Sequence, residues 1–182
     1  SNATGSIGNA TGFFGNVYSA NIVVSNILNA GANATGNIGN SSSYFNTIFA
    51  QATSAAYADV AERFASDTEY EAGTVVELGG SAEITKVSDE LSDSVFGVIS
   101  TRAAYLMNSQ AGTDATHPPV AMTGRVPVKT IGQARKGDRL VSAGNGFARA
   151  AQNGEATAFN TIGRSLTAKL DDNPGTVEAI VD

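Results

Sequence analysis

The sequence predicts a mainly β protein in which a repetitive β-stem precedes a small β-barrel or sandwich. Three observations carry this expectation. An uncharged, Asn- and Gly-rich repeat opens the chain. Every Asp, Glu, Lys and Arg lies at or beyond Asp59. From residue 68 onward, short apolar alternations are punctuated by glycine turns, the pattern of a compact all-β domain.

The repeat comes first. Sliding "NATGSIGNATGFFGNVYSANI" from residue 2 onto "NATGNIGNSSSYFNTIFAQAT" from residue 33 matches Asn2/Asn33, Ala3/Ala34, Thr4/Thr35, Gly5/Gly36, Ile7/Ile38, Gly8/Gly39, Asn9/Asn40 and Phe14/Phe45. Phe13/Tyr44, Val17/Ile48 and Tyr18/Phe49 keep their character. A fixed 31-residue period marks an extended, repetitive architecture. Phe13, Phe14, Val17 and Tyr18 would also suit one helical face, but Gly12, Gly15 and Asn16 interrupt it, and an exposed helix normally carries charge. Short strands joined by Gly/Asn turns fit better. Repeats of this kind need about three stacked copies to bury their apolar side. Here the missing copies are expected from other chains: a homotrimer with Phe14, Tyr18, Phe45 and Phe49 around its axis. A flexible Asn/Gly linker is the alternative. The Asn-X-Ser/Thr sequences at Asn2, Asn9, Asn33 and Asn40 read as turn residues rather than glycan acceptors.

The expected organisation is then Ser1–Ala3 as a tag remnant, 4–53 as repeat stem, 54–67 as connector and 68–182 as distal β-domain. The tag-like start suggests a fragment from the C-terminal part of a longer protein. In "SAAYADVAERF", Tyr57, Val60, Ala61 and Phe64 follow helical spacing, so a short helix is expected there, with an extended segment as the alternative. In the distal part, "GTVVELGGSAEITKV" predicts a hairpin about Gly79-Gly80 and "SVFGVIS" a buried strand. "VAMTGRVPVKTIG" predicts a strand with Val126, Val128 and Thr130 on one face, and Pro127 demands an edge or a bulge. Lys136-Gly137-Asp138 and Gly144-Asn145-Gly146 read as turns, and "GTVEAIVD" sets Val177, Ala179 and Val181 on one face. About eight short strands are expected.

Composition excludes several functions. The net charge of −6 argues against nucleic acid as a main partner. No cysteine is present, so there is no disulfide framework or thiolate metal site. No apolar run approaches the roughly 20 residues of a membrane span, and no leader is recognisable.

Several phrases, in order, carry a resemblance: "NIGNSSSYFNTIFAQATSAAYADVAERF", "YEAGTVVELGG", "VFGVISTRAAYLMN", "MTGRVPVKTIG", "KGDRL" and "IGRSL". Together they resemble the C-terminal regions of tail-fibre and other virion structural proteins of tailed phages, especially marine ones, over residues 33 to about 170. The resemblance implies a trimeric fibre stem with a β-rich distal domain. It also implies location in the virion after synthesis in the bacterial cytoplasm. Implied partners are other virion proteins and, outward, a host cell-surface glycan or protein. Arg102-Ala103 departs from it, since relatives often carry proline before "AYLMN".

"YADVAERF" also resembles the "DYAEYFE" segment opening the self-cleaving intramolecular chaperone of Bacillus-phage neck appendages. That resemblance implies a scissile Ala58-Asp59 bond with Asp59 and Glu62 as the acidic pair. The position of the attacking serine is taken by Ala58, which has no hydroxyl. Asp59 and Glu62 are therefore expected to face solvent or bridge chains.

Other chemistry is sparse. His117 is the only histidine; three copies on a trimer axis could offer imidazole to a metal, and an exposed loop residue is the default. Asp171-Asp172-Asn173 lacks the ligand spacing of a calcium loop, and Glu69 with Glu71 share one side of a strand. "GNGFAR" has no phosphate-loop lysine. Arg125, Lys129, Arg135, Lys136 and Arg139 form a basic cluster, a solvated face or a contact for an acidic glycan. Exposed tips are expected at 100–119 and 142–160, holding Tyr105, His117 and Phe147 as surface-binding candidates. The expectation is a structural and adhesive protein without cofactor or enzyme site.

Overall fold

The computed structural model describes residues 15–29, 31–33, 35–51 and 54–182, in two units, Ser1–Ile48 and Phe49–Asp182. Among the described residues of the first unit there is no strand, only a bridge between Asn40 and Ser43. Asn40 Oδ1 accepts the amides of Ser42 and Ser43 at 2.9 Å, so this asparagine is the turn residue expected. The expected stem strands are not made by one chain. The physical reason is that among the described residues no strand pairs with them, and an isolated two-stranded ribbon is marginal in water. Tyr18 is 93% exposed and Phe45 60%. Phe14 lies outside the described residues.

The second unit contains ten strands and no helix among the described residues. They are β1 (Asp59–Arg63), β2 (Val75–Leu78), β3 (Ile84–Lys86), β4 (Val95–Ile99) and β5 (Tyr105–Met107), then β6 (Pro119–Thr130), β7 (Arg139–Gly144), β8 (Phe147–Ala150), β9 (Thr161–Ser165) and β10 (Gly175–Val181). Neighbours run β10–β9–β7–β8–β6, and β6 pairs again with β10, which closes a five-stranded barrel. The remaining strands extend from β6: β4, β2 and β3 as one branch, β1 and β5 as the other.

Alternation places the core as the residues dictate. Val126, Val128 and Thr130 on β6 and Val177, Ala179 and Val181 on β10 are buried together with Leu140, Ala148 and Ile162. Small, branched side chains fill so narrow a barrel. A second cluster, Val76, Ile84, Ile99 and Val120, packs against Phe64, Tyr70 and Phe96. The Phe64 and Phe96 rings meet edge to face with centroids 5.1 Å apart. Pro127 sits where its strand is locally an edge. The Lys129 amide, of the same parity, points away from β10 and donates to Gly73 O at 2.8 Å, so the missing Pro127 N–H costs no ladder bond. The Asn145-Gly146 turn joins β7 to β8 with both residues at positive φ, 51° and 77°.

Two expectations change. Within 54–64 the chain forms strand β1 (Asp59–Arg63), the extended alternative, rather than a helix, because Val60 pairs with Tyr105 and Ala61 with Ala121, partners far away in sequence that local spacing cannot reveal. The segments 100–119 and 142–160 are not simply tips, since β5, the first residue of β6 and all of β8 lie within them.

Arg149 ties two loops to this barrel. Its Nε donates to Glu90 at 2.7 Å and its terminal nitrogens donate to Glu155 at 2.7 and 3.1 Å. Arg149, followed by the Gln152 amide, holds the Glu155 carboxyl below its ordinary range. A depressed folded value means that the stabilisation is present above the unfolded value and is lost as the pH falls through the folded one. Glu155→Gln is therefore expected to lower the melting temperature by a few degrees at pH 7. The gap to wild type should close as the pH falls below about 4.3, the unfolded value, in thermal scans across pH.

Candidate functional site

The Ala58-Asp59 junction lies at the start of β1, beside β6, with Ala58 exposed and Asp59 buried. Asp59 faces Gly124 across the ladder, and β6 carries one extra residue opposite Val60 and Ala61, a bulge that tightens the local bend. Gly124 is required by this approach. Its φ is +109°, and a Cβ there would stand 2.2 Å from Ala58 O and 2.6 Å from Asp59 Cα. The Ala58 carbonyl accepts the Arg125 amide at 3.3 Å, and the Asp59 carbonyl accepts the Ala104 amide at 2.9 Å. The backbone carbonyls on either side of the Asp59 Cα are thereby both held.

Against the expectation that it faces solvent or bridges chains, Asp59 is 2% exposed, and its carboxylate accepts a hydrogen bond from Ser100 Oγ at 2.6 Å. Ser100 is itself buried. A buried carboxylate must be hydrogen-bonded to be tolerated, and Ser100 supplies that donor. Glu62 stands three residues further along a strand whose burial alternates, so the two acids project to opposite faces and are not brought together. Sequence reasoning passed over Ser100 altogether, for nothing local links it to Asp59. Gly124 did leave a signal, since a glycine inside an alternating strand marks close backbone approach.

At the far end of β1, Arg63 anchors the strand to the segment before β6. One terminal nitrogen of its guanidinium donates to Asp114 and to the His117 carbonyl, both at 2.7 Å, while Nε is buried without a partner. Asn108 donates to the Arg63 carbonyl at 3.1 Å. His117 is half-buried in the 113–117 turn, its amide donating to Thr113 O at 2.6 Å and its Nδ1 3.1 Å from Thr116 Oγ1. It is part of a folded turn rather than an exposed tip.

The other candidates are scattered. Tyr105, on β5 beside Val60, is 63% exposed, whereas Phe147 is half-buried at the start of β8. Phe49 is 95% exposed. The basic cluster does not form one face of five cations. Lys129 pairs with Glu71 at 2.6 Å, Arg125 lies opposite Ile180, and Arg139 lies opposite Arg164, a residue the cluster did not include.

No family model matches this sequence, and no curated protein matches it. A solved structure does: pre-mature bacteriophage phi29 gene product 12, with a TM-score of 0.54 and 16% identity, over 75% of this chain and 23% of that one. The chain thus spans under a quarter of that protein. At this identity the likeness is one of fold, shared with part of a phage protein.

Two substitutions test the clamp. Gly124→Ala should cost about 2–4 kcal/mol through its φ and its contact with the 58–59 peptide. Ser100→Ala should cost about 1–3 kcal/mol by leaving a buried carboxylate undonated. Denaturant unfolding measures both, and an unchanged midpoint for Ser100→Ala would show that the Asp59 contact carries no weight.

Proposed function

We propose that this chain is a structural module of a tailed-phage fibre or appendage, assembled as a homotrimer. In this reading the neutral segment forms an interleaved stem, and the β-domain ends the fold while meeting other virion proteins or a host surface. The observation that carries it is the state of the uncharged segment. Tyr18, Val23 and Leu28 are 93%, 98% and 86% exposed, with no ionised side chain before Asp59 to keep such a surface in water. Covering each large apolar side chain is worth about 1.5–3 kcal/mol. Copies of the same segment are the natural cover, because its 31-residue repeat presents equivalent apolar positions in register. The sequence resemblance to virion proteins and the fold shared with a phage protein support the setting.

A second reading is favoured by the clamp at Ala58-Asp59: a self-processing chaperone domain for fibre assembly. There the Arg125 amide would polarise the Ala58 carbonyl, with the buried Asp59 beside the bond. Against it stands the missing hydroxyl at position 58, so no side chain on the carbonyl side can attack.

One experiment separates the readings. Light scattering on the whole chain should give three times the 18.5 kDa chain mass, falling to one chain mass when residues 1–53 are removed. A monomer from the whole chain would contradict the stem. Mass spectrometry after incubation should find the chain intact; a fragment ending at Ala58 would favour the second reading.

A further inference from the structure

Arg139 and Arg164 face each other directly on β7 and β9, both exposed. Like charges directly opposite on neighbouring strands are unfavourable. Among the described residues, neither guanidinium has a carboxylate within ion-pair distance, whereas Arg63 and Arg149 each do. Among the described residues the one side-chain hydrogen bond of this pair is from Arg164 to Gly137 O at 3.2 Å.

The local fold builds a groove around the two arginines. Leu140 pairs with Gly163 but Val141 with Thr161, so β9 bulges at Ile162 and turns Thr161 to the same side as Arg164. The loop before β9 forms the wall of an open cavity of about 450 Å³, which Asp182 also lines. A second cavity shares Thr161 and Asp182 and is lined by Phe159, which is 74% exposed. The loop that displays Phe159 is stiff: Thr157 donates its amide to Asn160 Oδ1 at 2.7 Å, and its hydroxyl accepts the amides of Phe159 and Asn160, both at 3.1 Å.

We propose that this groove is a binding site for an acidic sugar, whose carboxylate bridges Arg139 and Arg164 and whose apolar ring face lies on Phe159. Two planar guanidinium groups side by side match a carboxylate through charge-assisted pairs. An exposed aromatic ring on the adjoining cavity, which shares Ala158, Thr161 and Asp182 with the arginine groove, adds what a bare anion would not use. Asp182 stands where it can accept hydroxyl donors of the ring. The cavity has the size of a small-ligand site. The site lies wholly within the second unit, so it stands or falls apart from the trimer reading.

The test is an NMR titration of the labelled protein with a glucuronate-containing disaccharide, beside a neutral glucose disaccharide and inorganic sulfate. The glucuronate compound should shift the Nε–H signals of Arg139 and Arg164 and the ring signals of Phe159; the neutral sugar should not. Arg139→Gln and Phe159→Ala should each weaken binding by about tenfold, the loss of one good contact. Arg139→Gln should melt no lower than wild type, since it removes a like-charge opposition, and this shows that any loss is not unfolding. Equal shifts with the neutral sugar, or wild-type affinity in Arg139→Gln, would overturn the proposal. So would sulfate binding as tightly with no effect of Phe159→Ala, which would leave only a simple anion site. Shifts at these residues that depend on protein concentration without any sugar would assign the groove to another copy of the chain and equally overturn it.

Discussion

Strand β6 is the constraint on which the second unit depends. Its twelve residues pair with β1 along Pro119–Gly124, with β4 at Val120 and Ala121, with β10 along Gly124–Thr130 and with β8 at Thr130. One strand therefore belongs to the barrel at one end and to the added sheet at the other. Gly124 stands at the changeover, the last residue paired with β1 and the first paired with β10. A side chain there would drive into the Ala58-Asp59 peptide. The barrel closes because β6 stops competing for β1 at that glycine and offers its next residues to β10.

The same changeover explains how the candidate junction is held. Once β1 is laid against β6, Asp59 must enter the interior at the strand's first position, and burial of its carboxylate calls for the Ser100 hydroxyl. Ser100 follows β4, which β6 also pairs with, so the donor and the acid are delivered by two neighbours of one strand. Arg63, at the other end of β1, is fixed by the segment leading into β6. Chain order, packing and site geometry are thus set by the same element.

What was legible in the sequence follows from the range of each interaction. The faces of β6 and β10 could be read because period-two alternation is local, as could the Asn145-Gly146 turn, which local backbone preference dictates. Pro127 announced an edge, and its strand is indeed unpaired by another strand on the side to which its nitrogen points. The helix expected over 54–64 was misread because Tyr57, Val60, Ala61 and Phe64 satisfy a helical spacing by chance, while the pairing that decides the matter lies at Tyr105 and Ala121. The Ser100–Asp59 contact and the Arg139–Arg164 pair were invisible for the same reason. The basic residues between 125 and 139 drew attention to Lys129, which pairs with Glu71, and away from Arg164, which has no ion pair among the described residues.

The uncharged segment poses the opposite problem: its pattern is plain, yet its described large side chains, such as Tyr18, Val23 and Phe49, are exposed. Among the described residues its one backbone bridge is a local turn. In the proposed trimer, copies of the chain supply the missing partners. Amide hydrogen exchange over residues 15–51 of the whole protein tests this most directly. Strands interleaved between copies should exchange far more slowly than an open chain, with protection that weakens on dilution. Exchange at the open-chain rate, at every protein concentration, would contradict the account.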